Sequence, residues 1–168
     1  LRAAHGGCRL GQELGGGARM NVRPAKLSDI AAVAALEKSE FSSGADEGML
    51  ARLWESEGGV ILVCVEEERL LGYVWCRFVL DEGEIGNVAT APEERRRGVA
   101  AALLSALFAE AERRDAAQLG LEVRESNRAA RSLYEKTGFL TVGKRKNYYE
   151  KPVEDAILMT KFFSKEAQ

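Results

Sequence analysis

Two apolar runs, VILVCV (60–65) and LLGYVWCRFVL (70–80), are separated only by the charged segment EEER. Runs so rich in β-branched and aromatic residues, joined by a short polar turn, form a β-hairpin. The remaining segments alternate around it. Met20–Pro24 is strand-like, and a helix capped by Ser28 runs to about Phe41 on Ile30, Val33, Ala34 and Leu36. Met49, Leu50, Leu53 and Trp54 mark a second, short helix. Residues 84–90 form a strand stopped by Pro92, and a strong helix of Ala, Leu and Glu runs from Gly98 to about Arg114. QLGLEV (118–123) is a strand, and Asn127–Lys136 is a helix closed by Gly138. Strands at 139–144 and 156–163 complete the order β-α-α-β-β-β-α-β-α-β-β. This predicts an α/β fold with a mixed seven-stranded sheet and about four helices.

The first nineteen residues hold six of the 17 glycines and no periodic pattern. They read as a disordered extension or a cloning remnant, lacking the apolar core of a secretory signal. Residues 20–163 form the domain, and 164–168 are a tail. The whole chain carries 24 Lys and Arg against 26 Asp and Glu. The extension holds three arginines and one glutamate, so the net charge of −2 conceals −4 over residues 20–168. Such a domain has no basic face for nucleic acid, and no apolar run is long enough for a membrane helix. His5, the sole histidine, lies in the extension, and the three cysteines form no CxxC pair, so a metal site is not expected. Cys64 and Cys76 read as small buried hydrophobes.

The segment Arg95-Arg96-Arg97-Gly98-Val99-Ala100 lies between a strand end and a helix start. Free N–H groups and the helix macrodipole make such a place suitable for an anion. Gly98 and Ala100 leave room for a phosphate near the backbone, and the arginines add charge for a polyanion. An ordinary solvated charge run before a helix is equally consistent with RRRG alone.

This turn resembles motif A of the GNAT N-acetyltransferases. The resemblance spans residues 20–163 and is carried by GNVATAPEERRRGVAAALL, LEVRESNRAARSLYEKTGF and KNYYEKPVEDAILM. Within that superfamily the chain is most similar to the ribosomal-protein-alanine N-acetyltransferases, the RimI family. The resemblance implies the GNAT fold, acetyl-CoA as cosubstrate with no metal, and a protein N-terminus, most simply the alanine of a small-subunit ribosomal protein, as acceptor. It implies a cytoplasmic monomer or weak dimer, without direct nucleic-acid or membrane partners. Arg96, Arg97, Gly98, Val99, Ala100 and Ala101 would cradle the pyrophosphate. The backbone of Val88, Ala89 and Thr90 would meet the thioester and pantetheine, where the fourth strand splays from the fifth, and Asn127 would contact the cofactor.

Acetyl transfer to an amine needs a base, since α-amines have a pKa near ~8 and lysines near ~10.4. Without a histidine in residues 20–168, a carboxylate, a tyrosine or water must serve. Leu119, Leu121 and Val123 alternate with Glu122, which therefore faces away from the apolar side. The resemblance makes Glu122 the base rather than a plain solvent-facing carboxylate. Tyr134 lies two helical turns after Asn127 and can share its face; by resemblance it is the acid that protonates the thiolate. Tyr148 and Tyr149, expected between the last two strands, border the peptide groove or form a packing lid. An FPW-like segment common in the family is replaced by SEFSSGADEG on the acceptor side. Acetylation of lysines, small amines or broader N-termini therefore stands beside the leading reading, as does a non-catalytic acyl-CoA-binding module.

Overall fold

The computed structural model describes residues 19–164. His5, Cys8 and nearly all of the expected extension lie outside the described residues, as do residues 165–168. Seven strands, β1 (Asn21–Pro24), β2 (Gly59–Glu66), β3 (Arg69–Val79), β4 (Glu82–Thr90), β5 (Gln118–Arg124), β6 (Leu140–Tyr149) and β7 (Glu154–Phe162), form one sheet in the order β1-β2-β3-β4-β5-β7-β6. Every neighbouring pair is antiparallel except β4 and β5. Four helices, α1 (Ile30–Glu40), α2 (Glu47–Glu55), α3 (Val99–Arg113) and α4 (Arg128–Lys136), cover its two faces.

The hairpin inferred from the two apolar runs is β2–β3. Glu66 pairs with Arg69, leaving a two-residue turn in which Glu67 (φ 48°) and Glu68 (φ 66°) are both left-handed. That conformation matches the strand twist but suits Asn-Gly far better than two glutamates. Replacing them together, Glu67→Asn with Glu68→Gly, should raise stability by about 1 kcal/mol, read as a higher midpoint of thermal unfolding.

Helix α3 buries Val99, Leu103, Leu104, Leu107 and Ala111 against Leu71, Val74, Cys76, Ile85, Leu119 and Leu121 on one face of the sheet. At about 2 kcal/mol for each fully buried leucine, this stripe holds α3 in place. Tyr134, Ala130 and Leu133 of α4 belong to the same cluster. The opposite face carries α1 and α2, whose Ile30, Val33, Leu50 and Leu53 pack on Ile61, Val63, Tyr73 and Ala89. Cys64 and Cys76 are buried, unbridged members of the first cluster.

The structure corrects two local expectations. Ser28 does not cap α1; it sits inside a 3₁₀ turn, Leu27–Asp29, and α1 begins at Ile30. No side chain caps α1; the neighbouring Asp29 closes the turn instead, accepting from the Lys26 N–H at 2.7 Å while pairing with Arg23 at 2.6 Å. Tyr148 and Tyr149 do not lie between strands. They end β6, which runs to Tyr149 and pairs there with Glu154 after an irregular stretch that includes Asn147 at φ 53°. The Asp155 carboxylate accepts from the Asn147 N–H at 2.8 Å and carries the strand through that break, a pairing absent from any hydrophobic pattern.

Candidate active site

The site is a wedge in the sheet. β4 and β5 pair only at Glu82–Gln118, Gly83–Leu119 and Glu84–Gly120. Beyond that point β4 stays with β3 as far as Thr90–Gly72, while β5 stays with β7 as far as Arg124–Ala156. The parting coincides with a bulge: Trp75 faces Asn87 and Cys76 faces Ile85, so Gly86 has no partner. A Cβ on Gly86 would lie 2.1 Å from the Trp75 ring, so only glycine lets the indole lie over the bulge. An extra residue in one strand turns it away from its neighbour, here from β5. Val88, Ala89 and Thr90 follow the bulge, along the wedge edge of β4.

Both helices at the wedge mouth present their N-termini. α3 begins after Gly98, whose φ of 79° is left-handed and whose Cβ position is open to 4 Å all round. No side chain caps α3, and its first intrahelical donor to Gly98 is Ala102. The N–H groups of Val99, Ala100 and Ala101 therefore stand ready for an anion. Among the arginines expected to add charge, Arg95 pairs with Glu40 at 2.8 Å and Arg97 with Glu66 at 2.8 Å. Arg97 also shares buried Glu94 with Arg69. Two of the three side chains thus brace the turn, and the exposed Arg96, at φ 66°, bends it. At α4, Asn127 is the cap, its Oδ1 accepting from the Ala130 N–H at 3.2 Å.

Tyr134 is buried, with its ring edge-on to Phe139 at 5.5 Å, and no described residue hydrogen-bonds its hydroxyl. Burial, with a smaller contribution from Tyr149, pushes its phenol up to about 12. It stays protonated throughout the neutral range and can give a proton.

Glu122 lies on the other face of β5, opposite Leu158 of β7, with Arg145 at 3.4 Å. Glu122 beside the Tyr148 hydroxyl, then burial, raises the pKa of Tyr148. Burial and the charge of Glu122 push Tyr149 up to about 12. Tyr149 is thus coupled electrostatically to both Glu122 and Tyr134.

Arg124 escaped the sequence reading as a site residue. The Arg124 guanidinium lies 4.3 Å from the Tyr149 ring and donates to Pro152 O at 3.0 Å and Glu150 O at 3.2 Å. It ties the β6–β7 turn to the mouth of the wedge. Its place beside Glu122 on the outward-facing side of LEVR was the only signal available. On this same face, a cavity of about 310 Å³ is floored by Gly120 and walled by Glu82, Glu84, Glu122 and Leu158. Among the described residues, no three His, Cys, Asp or Glu side chains stand together as a metal site, and no helix is long and apolar enough to cross a membrane.

A splayed β4–β5 pair opening onto an uncapped, glycine-preceded helix is the geometry that motif A builds. The model of the acetyltransferase (GNAT) family matches residues 30–139. The chain belongs to the GNAT acetyltransferase family. A [ribosomal protein bS18]-alanine N-acetyltransferase from Haemophilus influenzae is 42% identical over 101 residues, which are 58% of this chain and 68% of that protein. A Bacillus subtilis relative, named provisionally for the same reaction, is 36% identical over 139 residues, 82% of this chain and 92% of its own length. The crystal structure of the Escherichia coli ribosomal-protein-S18-alanine N-acetyltransferase superposes with a TM-score of 0.82 at 31% identity, covering 89% of this chain and 97% of that one. This GNAT member is an acetyl-CoA-dependent N-acetyltransferase. The sheet, the helices and their order agree with the fold that the resemblance implied.

Proposed function

We propose that the protein acetylates the N-terminal α-amine of a protein, most simply the alanine of a small-subunit ribosomal protein, with Glu122 as base and Tyr134 as acid. The likeness over 139 residues to a relative named for that reaction carries the choice of acceptor. The setting that follows is the cytoplasm, where ribosomes are found, with the enzyme acting as a monomer or weak dimer.

The residues present fit acetyl-CoA. The open space at Gly98 and the free N–H groups of Val99, Ala100 and Ala101 suit its pyrophosphate, with the exposed Arg96 adding positive potential and Arg97 bracing the turn. Val88, Ala89 and Thr90 line the wedge with backbone, and the Asn127 amide lies at its mouth. When bound, acetyl-CoA supplies an acetyl thioester open to a neutral amine. Glu122, on the cavity face, takes the amine's proton at a carboxylate oxygen, directly or through water. Tyr134, on the α3 face, gives its hydroxyl proton to the departing sulfur. Tyr148 stands beside Glu122 and borders the acceptor groove. Base and acid thus sit on opposite sides of β5, so one proton leaves the amine on one side while another reaches the sulfur on the other.

Mass spectrometry of alanine-starting peptides incubated with enzyme and acetyl-CoA tests the acceptor. Acetylation that persists when the α-amine is blocked would remove the N-terminal reading. The pH dependence tests the acid. We expect kcat/KM to climb with pH through the amine's titration near ~8 and then to level off. With Tyr134 raised to about 12, no descending limb should appear in rates measured up to pH ~10. A fall within that range would take the role from Tyr134.

A further inference from the structure

The fully buried carboxylate of Glu37 is not used by the chemistry above. It occupies the apolar stripe of α1, in line with Ile30 and Val33, where a hydrophobe would ordinarily sit. A buried ionisable group is costly unless its oxygens are satisfied, and here four donors converge. Ala45 N–H donates to Oε1 at 2.9 Å, Asn87 Nδ2 at 2.5 Å and Trp75 Nε1 at 3.3 Å, while the Tyr73 hydroxyl donates to Oε2.

These donors come from two places that must keep a fixed relation. Ala45 belongs to the α1–α2 loop, which crosses so closely that a Cβ on Gly44 would lie 2.6 Å from Glu37 Cγ. Asn87 and Trp75 form the pair at the β4 bulge, where the wedge opens. Two pairs further down the same two strands, Arg77 faces Glu84, and both line the cavity with Glu122. The free N-terminus of α3 serves the opposite face. An amine that meets Glu122 therefore arrives on the face carrying α1 and α2, the face on which Glu37 holds the loop.

We propose that Glu37 is a positioning residue for the acceptor, locking the α1–α2 loop to the β4 bulge so that the incoming amine is aligned with Glu122. The acetyl-CoA side does not depend on it, because Val88, Ala89 and Thr90 remain laddered to Val74, Tyr73 and Gly72 of β3. The inference rests on the N-terminal acetylation reading only for the identity of the acceptor.

The test compares wild type, Glu37→Gln and Asn87→Ala as full-length proteins. Glutamine keeps the shape but turns one acceptor into a donor facing donors. Alanine at position 87 cuts the same link from the strand side and leaves the core intact, so it decides the matter if Glu37→Gln fails to fold. Loss of a hydrogen bond to a charged group predicts a roughly ten- to hundredfold fall in kcat/KM for an alanine-starting peptide. The Kd for acetyl-CoA should stay within about threefold, and hydrogen exchange at the Ala45 amide should accelerate. Unchanged peptide kinetics in both variants would overturn the proposal. So would a parallel loss for peptide and acetyl-CoA, or a fall in folded fraction with the peptide KM unmoved. If the wild type acetylates lysine peptides or small amines instead, only the N-terminal reading fails, and the same comparison is made with that acceptor.

Discussion

Tyr134→Phe should lose about 10²–10⁴ in kcat while binding acetyl-CoA as the parent does. The substitution removes one oxygen. The ring keeps its edge-on contact with Phe139 and its place in the core beside α3, and the hydroxyl has no partner among the described residues, so nothing is left unpaired. Stability should change little, and the loss should appear in turnover rather than in KM. The raised pKa of about 12 makes the phenol a stable carrier of its proton at neutral pH, and removing a group that works only in the transition state lowers kcat and kcat/KM together. Steady-state rates and a thermal melt on the same preparation check this. A Phe variant at full turnover would take Tyr134 out of the chemistry.

Glu122→Gln should cost about 10²–10³ at neutral pH, with a distinctive pH response. The base is needed because the acceptor α-amine is largely protonated below its pKa near ~8. Raising the pH supplies the neutral amine without help, so the deficit should shrink above pH ~9. Loss of a merely structural carboxylate would give a deficit that does not change with pH. The neighbours sharpen the contrast, since Arg145 pairs with this carboxylate and Tyr148 stands beside it. A comparison of kcat/KM for the two proteins from pH 7 to 10 separates these outcomes.

The wedge and Glu37 show how far local pattern reaches. The alternation in LGLEV placed Glu122 on the outward-facing side of β5, and Gly98 before an Ala- and Leu-rich helix marked an anion turn, because both features repeat over a few residues. Glu37 was invisible for the opposite reason. In sequence it is one more glutamate on a charged helix, and only its place in line with Ile30 and Val33 hints at burial. Its partners come from 8 to 50 residues away. Arg97 shows the same limit in reverse: its charge was legible, but its pairing with Glu66 and Glu94 came from a distant strand and a neighbouring turn.

By itself, the sequence determined the hairpin, the order of the seven strands and four helices, and the chemistry left to a domain without histidine. Those properties follow from side-chain period and from residue type, which are local. The tertiary structure alone decided where β4 leaves β5, because a one-residue bulge at Gly86 is set by the Trp75 ring across the strand. It also decided that Tyr149 stands beside Arg124 and Tyr148, because β6 must run on to pair with Glu154. Pairings across a sheet bring together residues far apart in the chain, and that long-range register is what turns the hairpin and its neighbours into a wedge for two substrates.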